Sequence, residues 1–116
     1  MKHAKYGLVL TLFVAGCGSI SVPVNGTFES GQVFYGKATA SVSDGGTFEA
    51  ISNDGLYCTG KYDAFTRVPT ITMLAECKDG RSATIVATRN KDMTSGSGII
   101  TMNDGTVGTF KFGPGN

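Results

Sequence analysis

The chain has 116 residues and is nearly neutral, with a formal charge of +1. That length allows one domain with a modest core, and the absence of any basic stripe excludes the electrostatic footprint of a nucleic-acid binder. Seventeen glycines and no tryptophan point to many turns and closely packed strands rather than helices.

Lys2, His3 and Lys5 give the chain a basic start. An apolar run over residues 7–16 follows, containing Leu8, Val9, Leu10, Leu12, Phe13 and Val14. A membrane-spanning helix needs ~20 apolar residues, so this run has the length of a signal-peptide core instead. The small pair Ala15-Gly16 sits directly before Cys17. An ordinary secretory signal requires no cysteine at that point.

Val14-Ala15-Gly16-Cys17 resembles the lipobox of bacterial lipoproteins. The resemblance implies that residues 1–16 are a cleaved signal peptide and that the Cys17 thiol carries a diacylglycerol. It implies a lipid-anchored protein of the bacterial envelope, with its domain in the periplasm or at the cell surface. Gly18 rather than Asp next to the cysteine favours the outer membrane. Each buried methylene contributes about 0.8 kcal/mol and one acyl chain holds only marginally, so two or three chains make a durable anchor. Loss of Lys2 and Lys5 leaves eight basic against nine acidic groups, a net charge of −1.

With Cys17 assigned to lipid, Cys58 and Cys77 remain. An even pair in an oxidising compartment is expected to form a disulfide. Two isolated cysteines lack the partners of a zinc site, and their spacing is far from the C-x-x-C of redox proteins. No metal and no cofactor are expected.

Residues 17–31 read as the lipidated cysteine and a tether rich in Gly, Ser, Pro and Asn. Fourteen extended residues would reach at most ~45–50 Å. The competing reading is a hairpin, with residues 20–24 and 27–30 flanking Asn25-Gly26 as a turn pair. Pro23 would keep its first strand at an edge.

Residues 32–116 read as a β domain. Asp44-Gly45, Asp54-Gly55, Asp79-Gly80 and Asp104-Gly105 are hairpin-type turn pairs. The last three recur every 25 residues, which either marks a two-strand repeat or is chance in a glycine-rich chain. Over residues 32–42, Phe34, Gly36, Ala38, Ala40 and Val42 share one face. Leu56, Cys58, Gly60 and Tyr62 share another, as do Ile71, Met73, Ala75 and Cys77, so both cysteines fall on apolar faces. Gly108, Phe110 and Phe112 alternate likewise, whereas Ile99-Ile100 breaks the pattern. Gly36, Gly60, Gly98 and Gly108 lie inside strands, which calls for sharp coiling or a close neighbour. The expected fold is all-β: one small antiparallel meander of about seven or eight strands, a barrel or a sandwich, with one disulfide.

The only histidine, His3, lies in the signal peptide, so the mature domain has no imidazole for a catalytic pair or a metal. The turn aspartates are explained by their turns. Glu29, Glu49, Asp63, Glu76 and Asp92 show no pairing that would suggest carboxylate catalysis. Ser95-Gly96-Ser97-Gly98 lacks the helix and the Lys-Ser/Thr of a phosphate loop. No catalytic residue is expected.

Residues 63–69 form the longest connection without an Asp-Gly turn. Phe65 and Arg67 within it are of the types that dominate interfaces, and they are the candidate partner-contact patch. The alternative is that Phe65 plugs an open barrel end. Expected partners are the membrane, through the anchor, and an envelope protein; nucleic acid is not expected. The functional expectation is a non-enzymatic binding or structural module. The alternative is an inhibitor of a periplasmic or host hydrolase, since small disulfide-pinned lipoproteins that block lysozyme are similar in size, anchor and disulfide. The body of the domain also resembles other small β-rich envelope lipoproteins.

Overall fold

A computed structural model describes residues 18–114. Cys17, the expected lipidation site, lies outside them. Eight strands follow in order: β1 (Ser19–Phe28), β2 (Val33–Ser41), β3 (Gly45–Ser52), β4 (Tyr57–Tyr62), β5 (Thr70–Cys77), β6 (Ser82–Arg89), β7 (Gly96–Met102) and β8 (Val107–Phe112). Each pairs antiparallel with the next, and β8 returns to β1, so the sheet closes into a barrel. Closure removes the exposed edges that a small all-β domain must otherwise protect. Of the two expected architectures, the barrel is the one formed.

Residues 19–28 are a wall strand and not a tether. β1 pairs with β2 from Ser19 to Thr27 and with β8 from Val24 to Phe28. Nor is Asn25-Gly26 a turn, because the pair lies mid-strand opposite Tyr35 and Phe34. The alternation of Val22, Val24, Gly26 and Phe28 on the inner face buries more apolar surface than a solvated tether would, and that gain decides the outcome.

The 25-residue spacing has a structural cause. Gly55, Gly80 and Gly105 hold φ of 95, 94 and 95°, and Gly31 joins them at 99°. In each turn the glycine N–H donates to the carbonyl three residues back: Gly31 to Phe28, Gly55 to Ser52, Gly80 to Cys77, Gly105 to Met102. This is the three-residue hairpin loop, a type I turn closed by a left-handed residue, rather than the two-residue turn that Asp-Gly suggests. All four turns cap the same end of the barrel. The other end carries the connections at residues 42–44, 63–69 and 90–95, together with the start of β1.

Inside, Val24 and Ile85 are among the most deeply buried side chains, in one core cluster with Phe34, Phe48, Met73 and Ile100. Ile100 points in and Ile99 points out, 50% exposed beside Val86, which resolves the broken alternation. The strand glycines make room for rings. Gly46 lies opposite Tyr62, Gly98 opposite Phe110 and Gly96 opposite Phe112. In each case the partner's ring occupies the space that a Cβ would fill. An eight-stranded barrel has an interior only just wide enough for side chains, so removing Cβ atoms across from aromatics is how three rings fit.

The Cys58–Cys77 disulfide is present. It spans directly opposed residues of β4 and β5, whose pairing is confined to residues 58–60 and 75–77. The next seam, β5 with β6, is paired from Thr70 to Glu76. The bridge therefore staples the shortest seam of the barrel.

Candidate functional site

The turn-capped end is closed by polar contacts. Arg81 donates to Asp79 at 2.8 Å and to Asp104 at 2.9 Å, tying two turns together. The Asp104 carboxyl also accepts the Thr106 N–H. Bonds from Thr106, and then from Arg81, hold its pKa down to about 2. Asp79 is lowered by the Arg81 N–H and side chain, and Asp54 by the Ser52 hydroxyl and then Gln32. Each of these carboxylates is engaged in shaping or joining turns.

The opposite end is open. A cavity of about 210 Å³ enters the barrel there. Its floor is Val24, Phe48, Met73 and Phe110, and its mouth is ringed by Ile20, Ala40, Ala64, Met93 and Thr94. Engineered cavities of ~150 Å³ lined by aliphatic and aromatic side chains accept benzene, so this volume suffices for a small apolar group. Met93 holds the one positive φ among described non-glycine residues, 64°. Such a backbone is uncommon outside glycine. Here an Asn90-to-Met93 turn and the Asp92 carboxylate, which accepts the Thr94 and Ser95 N–H groups, fix it. The result is an adaptable thioether at the mouth.

One charge lines this cavity. Arg89, the last residue of β6, is 8% exposed. Its guanidinium donates to the carbonyls of Thr66 at 2.7 Å and Val68 at 2.6 Å, and more distantly to Ala64 at 3.5 Å. Its backbone N–H donates to Pro69. Arg89 thereby pins the 63–69 connection over the mouth. Its Nε is buried with no partner, and no described ion pair includes it. Tyr62 shares the cavity wall, where burial raises its phenol pKa and the Arg89 charge partly opposes the rise.

Phe65 and Arg67 lie on the connection that Arg89 holds. Phe65 is 63% exposed and Arg67 is also exposed, so both point away from the cavity and neither plugs it; Ala64 lines it instead. Ile20, Val42 and Val68 are likewise exposed at this end. The mouth thus has an apolar lip. Arg89 escaped the sequence reading. The signal was present: Ala83, Ile85, Ala87 and Arg89 share one strand phase, which carries an arginine onto an apolar inner face.

No protein family and no curated protein matches the chain. Among solved structures it is similar to a redesigned β-barrel, mFAP1, bound to DFHBI. The TM-score is 0.63 at 20% sequence identity, over 80% of this chain and 91% of that one. At that identity the likeness concerns the fold.

Proposed function

We propose that the protein is a lipid-anchored envelope lipoprotein whose barrel binds a small apolar ligand through its open end, without catalysis. The observation that carries this reading is the cavity itself. It is concave, apolar and formed at one barrel mouth, where eight-stranded barrels hold ligands. No carboxylate lines it. A barrel of similar fold, mFAP1, is bound to DFHBI, so such a scaffold tolerates an occupant.

The expected anchor agrees with the position of the mouth. Gly18 alone separates Cys17 from β1. Acyl chains on Cys17 would hold this end close against the headgroups. Ile20, Val42, Phe65 and Val68 then meet the membrane interface rather than water, which gives exposed apolar side chains a use. Phe65 and Arg67 on the same lip are also where an envelope protein would make contact.

Ala38 is half-buried and lines the cavity. A naphthylamine dye that brightens in apolar surroundings should bind the wild type and not Ala38→Phe, whose ring fills the space. Equal brightening by a folded Ala38→Phe protein would remove the proposal. Palmitate labelling, lost in Cys17→Ser, tests the anchor separately.

A further inference from the structure

We infer that the ligand is a single-chain amphiphile with an anionic head, and that Arg89 receives the head. This rests on the cavity reading above and goes beyond it by fixing the chemistry of both ends of the ligand.

Pinning the 63–69 connection requires hydrogen-bond donors but no charge. Carbonyls of Ala64, Thr66 and Val68 satisfy donors on Nη1 and Nη2; they do not neutralise a cation. A buried guanidinium is costly unless a counter-ion meets it, and arginine keeps its charge throughout the physiological range. Arg89 has neither a carboxylate partner nor a partner for Nε. It lines a cavity whose other residues are apolar or neutral. A carboxylate or phosphate head in the cavity supplies the missing charge to the guanidinium, which favours charge-assisted contacts of this kind. Apart from Tyr62 and Thr94, the remaining wall is apolar and suits hydrocarbon.

Size limits the tail. The cavity of about 210 Å³ falls below the ~300–1,000 Å³ of pockets for drug-sized ligands. One chain of medium length fits, and a two-chain lipid does not. The mouth is ringed by Ile20, Ala40 and Met93 and Arg89 ends β6 at the same rim, so the tail points toward Met73 while the head stays near the end of β6.

The test uses the full lipidated protein in phosphatidylcholine nanodiscs, with octanoate, octanol and octylamine as probes and bare nanodiscs as the blank. Methyl NMR of Met73 and Met93, both in the cavity wall, reports entry of the tail whatever the head. Octanoate should move these methyls at a concentration roughly ten- to hundredfold lower than octanol, the range expected of a hydrogen bond to a charged group. Octylamine should bind worse than octanol. Arg89→Gln, which keeps donors for the loop carbonyls, should bring octanoate to the level of octanol and leave octanol unchanged. Equal midpoints for octanoate and octanol on the wild type would overturn the assignment of the head while leaving an apolar cavity. Methyls unmoved by any probe would overturn the cavity reading as well. The wild-type comparison decides even if Arg89→Gln does not fold. Octyl phosphate as a fourth probe then distinguishes a phosphate from a carboxylate head.

Discussion

Removing the disulfide by Cys58→Ala with Cys77→Ala tests whether the β4–β5 seam is the weak point of the barrel. The bridge closes a loop with a sequence separation of 19, for which chain entropy gives about 3 kcal/mol. A domain of this size has only ~5–15 kcal/mol in total. Each kcal/mol moves the melting temperature of a domain of up to ~100 residues by about 4–8 °C, so the double variant should melt about 12–24 °C lower. Circular dichroism on the oxidised protein, the reduced protein and the double variant separates the covalent link from the packing of the sulfurs. Amide exchange locates the effect. Gly60 and Ala75, at the inner end of the short pairing, should lose protection before Ile85 and Ile100 on the fully paired β6–β7 seam. A fall of less than about 4 °C, or a loss of protection spread evenly over all seams, would refute the reasoning.

Three further outcomes follow from the same geometry. Gly98→Ala would drive a Cβ into the Phe110 ring and the Val86 carbonyl, and overpacking of this kind should cost about 1–3 kcal/mol in urea unfolding. Asp104 has a folded pKa of about 2 against an ordinary 3.8, so its stabilisation is full above the ordinary value and is lost as pH falls through about 2; Asp104→Asn should flatten the acid limb of a stability profile between those values. Val42→Ser with Phe65→Ser, made in a Cys17→Ser chain, should reduce its partition onto phosphatidylcholine vesicles in flotation, because both side chains lie exposed on the lip.

The strand content was legible because alternation survives in the sequence: Ile71, Met73, Ala75 and Cys77 face inward as their spacing requires. The disulfide was legible from cysteine number and expected compartment. β1 was not legible. Pro23, Asn25 and Gly26 carry the local chemistry of a turn or linker, and only pairing with β2 and β8, distant in sequence, overrides it. The 25-residue period was visible but ambiguous, since the fourth equivalent turn, Ser30-Gly31, lies 24 residues before Asp54-Gly55, lacks the Asp-Gly signature, and is recognised only by its φ and its hydrogen bond. The cavity could not be read at all. It depends on which side chains stop short of the barrel axis, among them Ala38, Ala40 and Ala87, and their absence of bulk becomes meaningful only once the strands are closed. Arg89 is the informative failure: strand phase placed it inside, and the usual expectation that arginine faces water hid it.

The order of turns decides which way the mouth points. In a meander of eight strands both chain ends emerge at one rim, because each pair of strands returns the chain to its starting side. Four tight glycine turns occupy the β1–β2, β3–β4, β5–β6 and β7–β8 connections, so the opposite rim is short, polar and sealed by Arg81 with Asp79 and Asp104. The looser connections at residues 63–69 and 90–95 fall on the rim shared with the N-terminus. Had the tight turns been placed in the alternate connections, the cavity would open on the far side from the start of β1. On the proposed reading, an anchor at Cys17, with only Gly18 between it and β1, would couple to this distribution of turns: its acyl chains would present the mouth to the bilayer, where single-chain amphiphiles partition, and the ligand would enter the barrel without crossing water.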